Sequence, residues 1–363
     1  MSQPKVAARF HTLTVADVEQ DTTQSVVLSF HVPDTLAEQY QFTPGQYLTL
    51  RTSINGEDVR RSYSICSELG KQTLSVGVKR IDDGVFSNYA QTIKTGDELA
   101  VMTPQGRFVA PIGGTHNYLL LAAGSGITPI LSIATSVLEN EPESTVTLCY
   151  ANRNTESVMF RKQFNDLKDQ YLTRFLLTHV MDEESQDVEL FNGRLDAEKL
   201  ETMATRGHIT PTEYDATFIC GPQPMIEAAS AALKNLGVEE SSIKYELFTP
   251  STPLRTASAA KSSGSADQRV VKSRVEIVLD GSRRSFNMHE EEALLDAASS
   301  AGLEVPYSCA NGMCATCRCK LTTGSGDMEQ NFSLEPWELE DGFVLACQLR
   351  PTSDTVVLDF DAV

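Results

Sequence analysis

A group of cysteines near the C-terminal end constrains this 363-residue chain more than any other feature. The stretch YSCANGMCATCRC, residues 307–319, contains four of the eight cysteines. Cys309, Cys314 and Cys317 follow a C-x4-C-x2-C spacing, and Cys347 comes thirty residues after the third of them. This is the plant-type [2Fe–2S] spacing, in which a tight loop surrounds one edge of the cluster and a distant thiolate completes the ligand set.

Small residues in the loop favour the same interpretation, because Ala310, Gly312 and Ala315 would let backbone N–H groups approach the sulfurs. Zinc bound by four cysteines usually shows two C-x2-C pairs, and only one is present. None of the six histidines lies in the loop, which excludes a Rieske centre. A zinc site and free structural thiols remain as alternatives. Cys319, in the strand-like RCKL, is predicted to be a structural thiol and not a ligand.

The chain is predicted to be multidomain, with a linker between the second and third domains. Residues 250–271 form the linker, whose stretch PSTPLRTASAAKSSGSADQ has almost no large apolar residues. Residues 272–363 contain 7 Lys+Arg and 16 Asp+Glu, a net charge near −9. Here VEIVLDG and RSFNM predict a hairpin around Asp280-Gly281. EEEALLDAASSAGL predicts a helix with acidic residues in its first turn and Gly302 at its end.

Two regions precede the linker. Residues 1–111 contain short β-rich runs such as SVVLSFHV and TLSVGVKRI, separated by Pro-Gly, Asn-Gly and Gly turns, which predicts an antiparallel β-barrel or sandwich. Residues 112–249 alternate strand-like and helical patterns, from NYLLLAAG and ITPILSIATSVLEN to DATFICGP and PMIEAASAALKNLG. This alternation predicts an α/β domain with a parallel sheet.

Charge and hydropathy exclude two classes of partner. A net charge of −19 and a pI of about 4.7 argue against nucleic acid, whose binders carry a basic face. No run of about 18 apolar residues is present, so no contact with a membrane is expected. The beginning, MSQPKVAARF, lacks the apolar stretch of a signal peptide. We therefore expect a cytoplasmic protein, in which cysteines rarely form disulfides.

A glycine turn follows the first strand of the α/β region. In LLLAAGSGITP, residues 119–129, a strand leads into Gly124-x-Gly126, and a helix opens at Thr128-Pro129. Glycines allow a pyrophosphate to approach the backbone, and a helix N-terminus favours its charge. The pattern is not G-x-G-x-x-G, and by itself it is also typical of an ordinary turn.

Three further motifs accompany this turn: RSYSI at 61–65, GVFSNY at 84–89 and CGPQPM at 220–225. In order and spacing the set resembles the ferredoxin–NADP reductase family of flavoproteins, over residues 8–248. Residues 272–363 resemble a plant-type ferredoxin with an α+β, β-grasp fold. The resemblance implies an FAD-binding β-barrel, an NAD(P)H-binding α/β domain and a [2Fe–2S] domain.

The resemblance also implies residue roles. Tyr63 would stack on the flavin, and Ser64 would donate a hydrogen bond near its reactive nitrogen. Asp83 departs from the family's glycine pair, which leaves the local turn open. The implied FAD-binding residues are Arg61, Ser62, Tyr63, Ser64, Val78, Gly84, Val85, Phe86, Ser87 and Phe248.

On the nucleotide side, the resemblance places Gly124, Gly126, Thr128 and Gly221 at the dinucleotide and Cys220 near the nicotinamide. Ser64, Cys220 and Phe248, in the closing segment YELF with Glu246, are the implied catalytic residues. NAD sites often carry an acidic residue after the second strand, whereas NADP sites carry Arg. This stretch contains Arg153, Ser157 and Arg161, and Glu156 is its nearest acid, which favours NADPH over NADH. The alternative is that these arginines are solvated helix charges.

The domain order implies electron transfer from NADPH through FAD to [2Fe–2S], since FAD can take a pair of electrons and release them singly. No E-x-x-H ligands of a di-iron site are present, so the acceptor is expected to be a partner oxygenase. Within the family, ELFNGRLD, CGPQPMIEAA and YELF resemble most the reductases of phenylacetyl-CoA epoxidases, which implies a di-iron partner. Reductases of steroid and aromatic ring hydroxylases share the layout. A redox sensor and a self-contained dehydrogenase remain as alternatives.

Overall fold

The computed structural model describes residues 9–71, 73–248, 270–290 and 292–362. The chain divides into two units, which we call the N-terminal unit (Met1–Pro250) and the C-terminal unit (Ser251–Val363). The predicted linker lies outside the described residues, except for residues 270 and 271.

The first part of the N-terminal unit is an antiparallel six-stranded sheet. Its elements are β1 (Phe10–Thr22), β2 (Ser25–His31), β3 (Tyr47–Ile54), β4 (Glu57–Ser64), β5 (Thr73–Lys79), α1 (Val85–Ala90) and β6 (Glu98–Met102). The strand order is β4-β3-β6-β1-β2-β5, and a bridge between Ile65 and Val76 joins the two edge strands. Leu28, Val76 and Val101 are fully buried in its interior. The predicted antiparallel barrel is therefore confirmed.

The second part is a five-stranded sheet in which every neighbouring pair is parallel. Its elements are β7 (Asn117–Ala123), α2 (Ile127–Asn140), β8 (Thr145–Asn152), α3 (Arg161–Gln170), β9 (Phe175–Met181), α4 (Ala197–Thr205), β10 (Ala216–Gly221), α5 (Gln223–Asn235) and β11 (Ile243–Leu247). The strand order is β11-β10-β7-β8-β9, which confirms the predicted α/β domain. The order reverses between β7 and β10, and ligands of such sheets bind at the carboxyl ends of the strands at this point.

Strand β5 of the barrel packs directly against the α/β part. A Cβ on Gly77 would lie 2.9 Å from Cζ of Phe160 and from Cγ2 of Thr128, so only glycine permits this approach. A side chain of the barrel also reaches the start of α3, because Oδ1 of Asp21 accepts a hydrogen bond from the backbone N of Phe160 at 2.9 Å. These contacts bring the end of β5 next to the point where the strand order reverses.

The C-terminal unit is built on a mixed five-stranded sheet. Its elements are β12 (Val271–Leu279), β13 (Ser282–His289), α6 (Leu294–Ser300), β14 (Arg318–Thr323), β15 (Gly326–Met328), α7 (Pro336–Glu340), β16 (Phe343–Leu345), β17 (Leu349–Pro351) and β18 (Thr355–Asp359). The order is β13-β12-β18-β14-β16, with β12 and β18 parallel and the other pairs antiparallel. Helix α6 packs against β13, and β15 pairs with β17. This α+β arrangement confirms the predicted β-grasp fold.

Two local predictions for this unit have different outcomes. The hairpin is confirmed, because Asp280 and Gly281 have φ values of 50° and 71°, as a two-residue type I′ turn requires. The helix begins only at Leu294, so Asp296 supplies the predicted acidic first turn, whereas Glu290 and Glu292 precede the helix. Oε2 of Glu292 instead accepts a hydrogen bond from the backbone N at the end of β13, at 3.1 Å.

Candidate functional site

The four candidate cluster ligands lie at one end of the C-terminal unit and form two pairs. The backbone N of Cys309 donates to Sγ of Cys314 at 3.5 Å, and the backbone N of Cys347 donates to Sγ of Cys317 at 3.5 Å. The contact with Cys309 lowers the pKa of the Cys314 thiol to about 6, and the contact with Cys317 lowers the pKa of Cys347. Two thiol pairs fit a two-iron cluster, in which each iron takes two protein ligands.

Further hydrogen bonds point at these sulfurs, as an anionic thiolate set requires. The backbone N–H groups of Asn311 and Met313 both donate to Sγ of Cys309 at 3.4 Å. Oγ1 of Thr316 donates to Sγ of Cys314 at 3.1 Å. Donors of this kind stabilise thiolates and tune the potential of an iron–sulfur cluster, so the residues present fit the group.

The backbone of the loop explains its small residues. Ala310, Gly312 and Ala315 have φ values of 54°, 75° and 52°, in the left-handed region. A Cβ on Gly312 would lie 2.9 Å from the carbonyl O of Gln330, so the loop tolerates only glycine at this point. Among the described residues, no three His, Cys, Asp or Glu side chains converge as the ligands of a single metal ion do.

Cys319 lies apart from the two pairs. Its side chain is fully buried in β14, with Sγ 3.9 Å from the carbonyl O of Val344. Burial raises the pKa of this thiol. These contacts are those of a core residue, and its role as a non-ligand stays a prediction.

The residues with an implied flavin role gather along β4, β5 and α1. The Tyr63 ring lies 5.5 Å from the ring of Phe86, which is buried, and Val78 is fully buried in the barrel. Nη1 of Arg61 donates to the carbonyl O of the preceding residue at 2.7 Å, which orients its guanidinium. Ser62 is half-buried beside them. The implied FAD-binding residues of these three elements therefore lie on β4, β5 and α1, and among them Val78 points into the core of the barrel.

The turn before α1 contains Asp83, at the place where the family usually has a pair of glycines. This residue takes a φ of 62°, a left-handed conformation that Asp tolerates better than most residues. Oγ of Ser87 accepts from the backbone N of Ile81 at 3.1 Å, and Nδ2 of Asn88 donates to the carbonyl O of Gly84 at 2.7 Å. Val85, the first residue of α1, is 48% exposed. The turn therefore forms without the family's glycine pair.

The glycines of the α/β part meet at the reversal of strand order. Gly124 follows β7 with a φ of 52°, and a Cβ on Gly126 would lie 2.3 Å from the carbonyl O of Cys220. A Cβ on Gly221 would lie 2.8 Å from a side chain of α5. Oγ1 of Thr128 donates to the carbonyl O of the residue between the two glycines of the turn, at 3.1 Å. Two strand ends therefore lie close together, as a dinucleotide site at a reversal point requires.

Three elements bring the implied catalytic residues together. Cys220 on β10 is the register partner of Glu246 on β11, and Oγ of Ser64 on β4 donates to Oε2 of Glu246 at 3.3 Å. Burial, and then the charge of Glu246, raise the pKa of the Cys220 thiol. Phe248 is half-buried, and its backbone N donates to the carbonyl O of Gly221 at 3.4 Å. The bond between Ser64 and Glu246, 182 positions apart, was not anticipated.

A cavity of about 780 Å³ opens at these strand ends, within the usual size range of cofactor sites. Gly124, Arg153, Gly221 and Phe248 line it, as expected. Five further charged side chains that the sequence did not single out for this site also line it: Lys79, Asp182, Glu183, Arg194 and Asp196.

The lining charges lie in two groups of opposite character. Burial and the neighbouring Arg153 lower the pKa of Lys79, so two cations lie near each other there. Asp182 and Glu183 follow β9, and Oδ2 of Asp182 lies 3.3 Å from Nε of Arg194. These two acids therefore follow the third strand of the parallel sheet and not the second.

The three residues expected to read a 2′-phosphate are not brought together. Arg153 lines the cavity, but Arg161 lines a separate groove with Glu19 and Asp21. Oγ of Ser157 donates to the carbonyl O of Asn154 at 2.7 Å, in a local capping arrangement. Of the three, only Arg153 is therefore positioned at the cavity.

Three family models match consecutive parts of the chain. They are described as an oxidoreductase FAD-binding domain (residues 12–109), an oxidoreductase NAD-binding domain (residues 120–231) and a 2Fe-2S iron-sulfur cluster binding domain (residues 277–352). Each match falls on one of the three folds described above. The described helices include none that is both long enough and apolar enough to span a membrane.

Two curated relatives match nearly the whole chain. One component of the 1,2-phenylacetyl-CoA epoxidase of Escherichia coli K12 is 44% identical over 97% of this chain and 98% of its own length. The ferredoxin reductase component of 3-ketosteroid-9-alpha-monooxygenase from Rhodococcus rhodochrous is 34% identical over 96% of both chains.

A solved structure supports the fold. Phthalate dioxygenase reductase, described as modular for electron transfer from pyridine nucleotides to [2Fe–2S], is similar with a TM-score of 0.57. The match covers 97% of this chain and 98% of that one at 21% identity. Together, the domain matches and the full-length relatives show that the chain belongs to the family of NAD(P)H-dependent oxygenase reductases that combine FAD-binding, NAD-binding and [2Fe–2S] domains.

Proposed function

We propose that this reductase delivers electrons from NADPH to the oxygenase component of a phenylacetyl-CoA epoxidase. The observation that carries the proposal is the 44% identity over 97% of the chain to a component of such an epoxidase. The ferredoxin reductase components of 3-ketosteroid-9-alpha-monooxygenases are 34–36% identical over a similar length. An oxygenase of that second kind is the alternative partner.

The proposed domain bounds follow the three sheets. They are 1–111 for the FAD-binding domain, 112–249 for the nucleotide-binding domain, 250–271 for the linker and 272–363 for the [2Fe–2S] domain. Bound FAD accepts two electrons with a hydride and releases them singly, and a [2Fe–2S] cluster of this type carries single electrons at about −400 mV. Cys309, Cys314, Cys317 and Cys347 are the proposed cluster ligands. The proposed FAD-binding residues are Arg61, Ser62, Tyr63, Ser64, Val78, Gly84, Val85, Phe86, Ser87 and Phe248.

At the hydride site, the chain would orient groups and exclude water. The Ser64 hydroxyl donates its single proton to the Glu246 carboxylate, so the implied donation to the flavin would require this hydrogen bond to be exchanged. Cys220 stays a neutral thiol because its pKa is raised, and since its side chain is fully buried it would place a polarizable, uncharged group behind the nicotinamide site. Half-buried Phe248 closes the cavity beside Gly221 and would be displaced when the nicotinamide enters.

The preference for NADPH rests on the cations of the cavity. Arg153 and Lys79 lie close enough for the first to lower the pKa of the second, and a phosphate between them would relieve this repulsion. Asp182 and Glu183 are the groups that would instead favour the ribose hydroxyls of NADH. Replacing Arg153 with Ala should raise KM for NADPH about tenfold and leave KM for NADH within about twofold. Equal losses for both nucleotides would assign Arg153 to the pyrophosphate.

A reconstitution with two oxygenases tests the proposed partner. The purified, cofactor-loaded chain is combined with the oxygenase subunits of a phenylacetyl-CoA epoxidase or with the oxygenase of a 3-ketosteroid-9-alpha-monooxygenase, and product formation per NADPH is measured. Coupled turnover is expected with the first oxygenase only. Coupling with the second alone would overturn the proposal. Turnover of a small molecule by the chain without residues 269–363 would favour a self-contained dehydrogenase.

We infer that the protein acts in the cytoplasm. All eight cysteines are free thiols, which supports a reducing compartment. A [2Fe–2S] site needs its four thiols unoxidised before assembly, so the same compartment suits the proposed ligands.

A further inference from the structure

The C-terminal unit has an exposed apolar patch on one short segment. Five large hydrophobic side chains are exposed among the described residues of this unit, and three of them lie within eight positions. Phe332, Trp337 and Leu339 are 41%, 53% and 43% exposed, and we call these three side chains the 332–339 patch, although Trp337 and Leu339 point to different sides of α7. Trp337 is the only tryptophan of the chain. Exposed apolar patches with an acidic or basic rim mark protein–protein contacts, and Trp is the residue type most enriched at their energetic centres.

The patch is joined to the loop that carries the candidate ligands. The backbone N of Phe332 donates to the carbonyl O of Gly312 at 3.1 Å. Gly312 lies between Cys309 and Cys314, which are half-buried, whereas the other two candidate ligands are buried. The patch therefore adjoins the side of the thiol set that faces solvent, where an electron would leave.

A buried ion pair also anchors α7, the helix that carries Trp337, to the interior of the unit. Glu338 is fully buried, and its Oε1 accepts from Nε of Arg318 at 2.6 Å. Arg318 directly follows Cys317 in the chain. Nε1 of Trp337 donates to Oε2 of Glu335 at 2.6 Å, which restricts the indole. A side chain restricted in this way loses little entropy on docking, which favours a contact role.

The charge around the patch is of one sign. Residues 321–349 contain no Lys or Arg and six acidic residues: Asp327, Glu329, Glu335, Glu338, Glu340 and Asp341. Two of them pair with cations just outside the segment, since Asp341 contacts Lys320 and Glu329 contacts Arg350. Glu335 and Glu340 are exposed beside Trp337. The complementary partner surface is therefore an apolar pocket ringed by basic side chains.

We propose that the 332–339 patch is the surface on which the oxygenase component docks, with Trp337 and Phe332 inserted into an apolar pocket with a basic rim. This inference rests on the proposed function, because it names the contact surface for the same electron acceptor. The oxygenase would then bind next to Cys309 and Cys314, on the solvent-facing side of the four candidate ligands.

The test uses the full-length chain, loaded with FAD and [2Fe–2S], and the oxygenase subunits of a phenylacetyl-CoA epoxidase as the probe. KM for the oxygenase is compared with the rate of ferricyanide reduction, since this small acceptor needs no docking surface. Trp337→Ala should raise KM for the oxygenase about tenfold or more. Trp337→Phe should have a smaller effect, and both variants should keep the ferricyanide rate and the visible absorbance of the cluster.

The matched control is Val271→Ala, because Val271 is 49% exposed on β12, and β18 and β14 separate β12 from β16, the strand against which α7 packs. Its KM should stay within about twofold of the unchanged chain. A Trp337→Ala variant with unchanged KM overturns the docking surface but not the proposed function. If the unchanged chain fails to reduce the oxygenase, the proposed function fails and this inference fails with it. A chain dimer that Trp337→Ala dissociates, with KM unchanged, would assign the patch to a second copy and overturn the proposal.

Discussion

Replacing Glu338 with Ala should destabilise the C-terminal unit strongly, although the residue is not one of the candidate ligands. Its side chain is fully buried, and it accepts from Nε of Arg318 at 2.6 Å and from the backbone N of Glu335 at 2.9 Å. The Arg318 side chain is only 10% exposed and lies 3.5 Å from the centroid of the Phe343 ring. Without Glu338, the guanidinium would remain buried against an aromatic ring and lose its counter-charge.

The expected cost follows from this geometry. At an effective dielectric constant of about 20, two unit charges at the 2.6 Å separation of this pair attract by about 6 kcal/mol. Desolvation offsets part of that energy in the intact pair, but removal of one partner from a buried pair typically costs about 3–5 kcal/mol. For a domain of roughly 60–100 residues, 1 kcal/mol shifts Tm by about 4–8 °C. Glu338→Ala should therefore lower Tm of this unit by about 12 °C or more.

The assay is the thermal loss of cluster absorbance in the full-length chain, followed at wavelengths longer than the flavin bands so that it reports on the C-terminal unit. Asp341→Asn is the matched control, because the pair between Lys320 and Asp341 is exposed and should contribute at most about 1 kcal/mol. Arg318→Met combined with Glu338→Leu should recover most of the stability, since an apolar pair leaves no buried charge. A Glu338→Ala chain that melts within about 2 °C of the unchanged chain would refute the reasoning.

Three further outcomes are expected. Cys347→Ala should abolish the visible absorbance of the cluster and Cys319→Ala should preserve it; loss in both variants would make Cys319 a ligand or an essential core residue. Gly126→Ala should weaken nucleotide binding by at least about tenfold, because the Cβ of the alanine would lie 2.3 Å from a carbonyl O of β10. Unchanged binding in a calorimetric titration would contradict this expectation. Burial and the neighbouring Arg153 lower the pKa of Lys79, so this lysine loses its proton at a pH below its ordinary pKa of 10.5. As the pH rises toward that value, the affinity for an anionic nucleotide should fall and KM should rise. Lys79→Arg should flatten this rise of KM with pH, because guanidinium stays protonated; an equally steep profile would remove Lys79 from the site.

The sequence was sufficient where the site depends on local geometry. The C-x4-C-x2-C spacing lies within nine residues, and the loop between Cys309 and Cys317 can take few conformations that direct three sulfurs to one side. The glycine turn was equally readable, because Gly126 is required by a steric contact that any side chain would violate. Both features depend on residues that are close in the sequence, so each can be recognised from a short motif.

Long-range contacts could not be read from the sequence in this way. The hydrogen bond from Ser64 to Glu246 joins residues 182 positions apart and exists only because the barrel packs against the parallel sheet. Lys79 reaches the cavity for the same reason, from the end of a barrel strand. Asp182 and Glu183 follow the third strand of the sheet, and only the order β7-β8-β9 brings them to a site that begins at β7.

Strand β1 shows a different limit, because its apolar signal is weak. Of its 13 residues, only Leu13 and Val15 are buried, and most of the remaining side chains are polar and half or fully exposed. Nevertheless β1 lies inside the sheet, between β6 and β2, and is held there by backbone hydrogen bonds that any sequence can make. Hydrophobic periodicity does not report on such a strand.

The division of the chain after Pro250 separates two kinds of electron transfer with different demands. Hydride transfer requires reacting atoms about 3–3.5 Å apart, so its flanking residues must be fixed relative to each other. The residues proposed for that step, Ser64, Cys220 and Phe248, belong to one unit, where the bond to Glu246 joins the first two and a backbone hydrogen bond to Gly221 holds the third. Transfer of a single electron to another protein requires instead a surface that docks and releases. Since the 332–339 patch lies wholly in the other unit, changes there should alter affinity for the oxygenase and leave NADPH oxidation with ferricyanide unchanged.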